Sequence, residues 1–199
     1  MSSPIKVEVD ASANPSPAEL LPEIELDEKQ LEAAHRVMAR GVEVLIEDHF
    51  RVRDQTPNAL GGQRTNFWAQ LAGATSVTSA SSTGATVTVA DERFALKVHG
   101  GTVRPKNAKA LTIPIHPAAH GKRASQLNVE LFIVRTSTNA FLAGKSGSGD
   151  ELTFYYVLKD SVTHDPDPEA LPTDDEVERT MERSFERWLD LESRESDAA

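Results

Sequence analysis

Between Asp27 and Arg51 the apolar residues Leu31, Ala34, Met38, Val42 and Leu45 recur at helical spacing, while Glu32, Arg36, Arg40, Glu43 and Glu47 take the other side. That period commits the segment to a long amphipathic helix, and its apolar stripe needs another element to bury against. Asp27 with Gln30 three positions on forms a capping box, which marks the start. Gly41 sits in the middle of the pattern, where glycine costs about 1 kcal/mol relative to alanine. Its presence points to close packing against a neighbour.

The remaining chain reads mainly as short strands joined by turns. Residues 1–25 are rich in Pro, Ser, Ala and acids, and read as a flexible, extended arm. Residues 56–62 are a loop, and 64–71 a short helix presenting Phe67, Trp68 and Leu71. Residues 76–90 read as a hairpin turning at Ser81-Ser82-Thr83-Gly84. Asp91 caps a short helix over 92–98 that stops at Gly100. Strands follow at 111–115, 129–135, 140–143 and 152–158; the second is apolar on both sides and reads as central. Thr173-Asp174-Asp175-Glu176 is a second capping box. The helix it opens carries Val177, Met181, Phe185 and Trp188 on one stripe, after the stiff stretch Asp165-Pro166-Asp167-Pro168. The architecture is α+β: a long N-terminal helix, a mainly antiparallel sheet of hairpins and a C-terminal helix. One domain over 26–191 is expected, followed by a frayed acidic tail at 192–199.

Charge is unevenly placed in this chain of net −10. Residues 1–29 hold seven acids and two lysines, and 160–199 hold fourteen acids and four arginines. Between Arg93 and Arg123 there are seven bases and no acid. Acidic ends and a basic centre fit self-assembly between neighbouring copies, or a basic loop facing a polyanion. The absence of cysteine excludes disulfides, thiolate catalysis and Cys-based metal sites, and points to folding in a reducing cytoplasm. No apolar run approaches the roughly 18 residues of a membrane span, and the N-terminus has no signal-peptide pattern. A protein without membrane contact is expected.

No set of residues commits to catalysis. His116 and His120 are four apart, but Pro114 and Pro117 oppose a regular helix there, and no acid lies close in sequence. With His99 they read as surface or turn histidines, so no metal site is assigned. Ser146 lacks the strand-to-helix setting of a nucleophile elbow. Gly144-Lys145-Ser146 looks like the end of a phosphate-binding loop, yet the upstream glycine is missing. No cofactor is implied. The basic region has Phe94 as its one aromatic residue, too few for a stacking platform, and the net charge opposes tight non-specific nucleic-acid binding. Transient contact with DNA in a channel remains compatible.

One run is more specific. Val98-His99-Gly100-Gly101-Thr102-Val103-Arg104-Pro105 combines a glycine pair suited to a tight reversal with a basic loop and the apolar strand at Leu111, Ile113 and Ile115. With Asn66-Phe67-Trp68-Ala69-Gln70-Leu71, Phe94-Ala95-Leu96-Lys97, and Phe154-Tyr155-Tyr156-Val157-Leu158 before Pro166-Asp167-Pro168 and a final helix, the chain resembles bacteriophage virion-morphogenesis proteins of the Mu-type tail-completion family. The resemblance spans roughly residues 27–190. It implies a non-enzymatic virion protein of the neck or upper tail, assembled in the bacterial cytoplasm. Such a protein forms a ring with copies of itself, against connector and tail-tube proteins. Under that reading Arg104, Lys106, Lys109, Phe185 and Trp188 are the candidate interface residues, with Trp188 equally open to a core role. The other class is a prophage-encoded enzyme or regulatory binding module.

Overall fold

In the computed structural model, which describes residues 7–10 (backbone), 26–56, 66–145 and 151–196, the capping box forms as its residues dictate. The Asp27 carboxylate accepts from Gln30 N at 2.9 Å, and the Gln30 side chain accepts from Asp27 N at 2.9 Å. Helix α1, Glu28–Asp54, follows. The polypeptide divides into two compact units: Met1–Gln55, Phe67–His99 and Pro166–Ala199 form the first, and Thr56–Asn66 with Gly100–Asp165 the second. The sequence reads as one domain over 26–191; within it the contacts gather into these two units. Each unit closes its own hydrophobic cluster.

In the first unit α1 packs against α2 (Phe67–Gly73), against the hairpin β2 (Thr75–Ser81) and β3 (Gly84–Val89), and against α4 (Asp174–Ser196). Helix α3 (Glu92–His99) supplies Phe94 to the same core. Because α1 is covered on several sides, its buried surface is wider than one stripe: Ile46, Phe50 and even Glu43 are buried with Met38 and Val42. Glu43, expected on the solvent side, pairs there with Arg40. Gly41 meets α4 closely: a Cβ on it would overlap Ser184 Oγ and lie 3.3 Å from Ser184 Cβ. Asp54, at the end of α1, accepts Ala69 N at 3.2 Å and so caps α2 from a distant part of the chain. Arg53 lies 4.3 Å over the Trp68 ring and pairs with Asp167 at 2.7 Å, tying the helix end to the Pro-rich stretch. β1, Val7–Asp10, extends the sheet to the antiparallel order β1-β3-β2. These four residues lie in the segment read as a flexible arm; their alternating Val-Glu-Val-Asp pattern is strand grammar, and the free edge of β3 accepts it. Helix α4 also runs on to Ser196, beyond the fraying expected after Leu191.

In the second unit β4 (Gly101–Val103) pairs with β9 (Val162–His164). The main sheet has the antiparallel order β5-β8-β7-β6, with β5 Leu111–Pro114, β6 Phe132–Arg135, β7 Ala140–Lys145 and β8 Leu152–Lys159. β6 is an edge strand, a correction to its reading as central: its two apolar sides are half open to solvent, with Phe132 43% and Ile133 56% exposed. β8 is interior and bulged at Tyr155, so Tyr155 and Tyr156 are both buried. They pack with Ala119, Leu127, Val129 and Leu142, and the Tyr156 hydroxyl donates to Lys122 O at 3.1 Å.

Candidate functional site

Strand register sorts the four-stranded sheet into two unlike sides. Residues opposed across a ladder point the same way, which puts Leu142 and Tyr156 on the side covered by the 117–131 segment. The opposite side carries Ile113, Val157, Phe141 and Val134 across the four strands, with Phe132 and Phe154 beside them. Phe141 and Phe154 meet edge to face at 5.1 Å. None of these six belongs to either core cluster, and Phe154 is 38% exposed. A continuous apolar side of this kind on a sheet marks a contact surface more often than an inert one.

The charged residues divide just as sharply. By sequence the second unit holds nine bases and five acids, a net of +4, and the first holds twelve bases and twenty-six acids, a net of −14. Among the described residues every ion pair lies in the first unit, including Arg36–Glu32, Arg51–Glu47 and Arg93–Asp91. In the second, Arg104, Lys106 and Lys109 stand exposed on the loop between β4 and β5. They make no ion pair with any described residue, and neither do Lys122, Arg123, Arg135 and Lys159. The reversal leading into this loop uses Gly100 at φ 66° and Gly101 at φ 140°, backbone angles that L side chains resist.

At the end of the sheet where β5 begins and β8 finishes, an open depression of about 460 Å³ is lined by Lys109, Arg135, Lys159 and Asp160, with the 136–139 turn and Leu158 completing it. The Lys159 ammonium donates to Asn139 Oδ1 at 2.6 Å. This arrangement offers cationic and hydroxyl donors over an apolar floor, which suits anionic side chains or phosphates.

Of the five residues expected to make contacts, three are therefore exposed together on one loop. The other two are placed elsewhere: Phe185 and Trp188 are 2% and 8% exposed, stacked at 5.8 Å in the first unit's core. The stripe they belong to is the one that faces the core shared with α1, the core role left open for Trp188. His116 Nδ1 accepts from Ala118 N and caps a short 3-10 turn, and its ring lies against Tyr155. His99 ends α3, and His120 Nε2 is buried with no hydrogen-bond partner in the structure. Among the described residues no three His, Asp or Glu side chains converge as a metal site needs, and no helix is long and apolar enough to cross a membrane. Two carboxylates have pKa values held below their usual range: Asp91, chiefly by its side-chain bond with Arg93, and Glu176, by hydrogen bonds from Thr173. Both sit at helix starts, and they stabilise helices.

Lys159, Arg135 and the open apolar side escaped the sequence reading. Lys159 and Arg135 lie 24 positions apart in sequence and come to the same end of the sheet because β7 turns back between β6 and β8. The alternation in β6 and β8 was visible, but not which alternate set stays outside the cores formed by the described residues. Comparison with protein-family models, curated proteins and solved structures finds no match to the chain.

Proposed function

We propose that this protein is a structural subunit of a phage particle, acting in the neck or upper tail as a ring of identical copies. The open apolar side of the β5-β8-β7-β6 sheet carries the reading. Its six aliphatic and aromatic residues lie outside both cores, and burying such a side chain is worth about 1.5–3 kcal/mol. A surface of that kind is used up by association, and the split of charge between the units favours a second copy as the associate. The resemblance of the His99–Pro105 run and its flanks to tail-completion proteins supplies the setting. No substrate is transformed in this reading. The neck proteins and the tail tube stack above and below the ring.

Two measurements test it. Light scattering on the purified protein is expected to show concentration-dependent oligomers, which the pair Phe132→Ser and Phe154→Ser dissolves. Gradient-purified particles from induced lysates are expected to contain the protein in a fixed number of copies. Its absence from particles, together with a strictly monomeric protein at all concentrations, refutes the proposal.

A further inference from the structure

Resting on that ring reading, we infer that the contact between copies is head to tail: the basic depression at the end of the four-stranded sheet receives the acidic row of α4 from a second copy. Glu178, Glu182, Glu186 and Asp190 recur at every fourth position on α4. Like charges at that spacing repel, and none of the four has an ion-pair partner among the described residues. Of the arginines beside them, Arg179 and Arg183 are engaged otherwise. Arg179 pairs with Asp175 at 3.7 Å, and Arg183 donates to Arg179 O and to Thr180 Oγ1. The helix therefore presents a repulsive row that an outside cation relieves. The depression is its counterpart: among the described residues Lys109, Arg135 and Lys159 have no carboxylate partner, and Asp160 is the one acid on its wall.

The dimensions agree. Lys109 precedes β5, Lys159 ends β8 and Arg135 ends β6. β5 and β6 are the outer strands of the four, so the three cations spread over about 14 Å, three strand spacings. Glu178 to Glu186 spans eight residues of helix, about 12 Å. A nucleic-acid backbone has a similar charge spacing, but a chain of net −10 repels it, whereas a second copy of the chain brings the acidic row with it. Because the two patches are different surfaces, the contact is heterologous and repeats around a ring.

The test uses the full chain and two sets of charge reversals. One variant carries Lys109→Glu, Arg135→Glu and Lys159→Glu; the other carries Glu178→Lys, Glu182→Lys and Glu186→Lys. Circular dichroism and thermal melts check that each folds, and Lys→Gln and Glu→Gln versions replace any that does not. Sedimentation velocity over a concentration series is expected to show association weakened about tenfold or more in either variant alone, and restored when the two are mixed in equal amounts. Raising salt from about 0.1 to 1 M, which shortens the screening length from about 10 to 3 Å, is expected to weaken the parent in the same way. Parent-like association by both variants, or a mixture that stays as weak as its components, overturns the inference and leaves the ring reading standing. Loss of binding to a labelled 30-mer DNA duplex with association unchanged makes nucleic acid the occupant, which also overturns it. A parent that is monomeric throughout removes both.

Discussion

Replacing Gly41 with alanine sets two terms of similar size against each other on α1. Helix propensity favours alanine by about 1 kcal/mol at an interior position. Against it stands α4, because the new Cβ overlaps Ser184 Oγ and lies 3.3 Å from Ser184 Cβ and 3.4 Å from Thr180 Cγ2. Ser184 has to turn away and give up its 2.7 Å bond to Thr180 O, worth about 0.5–1.5 kcal/mol. The two helices then separate slightly, an overpacking cost of about 1–3 kcal/mol. The single variant is expected to be about 1 kcal/mol less stable than the parent. In a Ser184→Ala background the overlap with Oγ disappears, so the same change is expected to be neutral or to stabilise by up to about 1 kcal/mol. Urea unfolding of the four proteins, followed through the Trp68 and Trp188 fluorescence of this unit, gives the coupling as a double-mutant cycle. Additive effects, with Gly41→Ala stabilising equally in both backgrounds, refute the close approach of α1 and α4.

Gly144→Ala is expected to destabilise the second unit by about 1–3 kcal/mol, since its Cβ meets Val129 Cγ1 at 2.5 Å and Glu130 O at 2.8 Å; chemical denaturation measures it. Phe185→Ala is expected to cost about 3–5 kcal/mol as a core truncation, and a loss near zero by the same assay returns the residue to the surface. Asp91→Ala is expected to cost about 1 kcal/mol at neutral pH, because its carboxylate accepts Arg93 N at 2.8 Å and caps α3. The Asp91 pKa is lowered in the folded state, so this contribution is present above the ordinary Asp range and is lost as pH falls through the lower folded value. The gap between Asp91→Ala and parent in thermal melts should therefore close on acidification, and a gap that widens contradicts the assignment.

The starts of three helices were legible because a cap is settled within three or four residues. Asp27 with Gln30, Thr173 with Glu176, and Asp91 each bond to amides almost next to them, so no distant partner has to be known. The Gly41 irregularity was legible too: an unfavourable residue in a strong helical pattern announces a neighbour, though not that the neighbour is Ser184. What misled was the step from apolar pattern to position. β6 is apolar on both sides, which suits an interior strand, yet it stands at an edge with both sides half open. Phe185 and Trp188 sit on a very acidic helix, which suits docking, yet α1 covers them.

From residue order alone came the local grammar of this protein: the long rod from Asp27, the turns at Ser81–Gly84 and Gly100-Gly101, the capped final helix, and the separation of acidic ends from a basic centre. Only the tertiary structure decided which apolar residues are buried, that there are two cores, and that Lys109, Arg135 and Lys159 gather at one end of a sheet whose other side lies open. Caps, helical periods and turns are satisfied by atoms a few residues apart. Burial and ion pairing depend on partners brought in from across the chain, and the order of strands in a sheet, β5-β8-β7-β6 here, is what brings them.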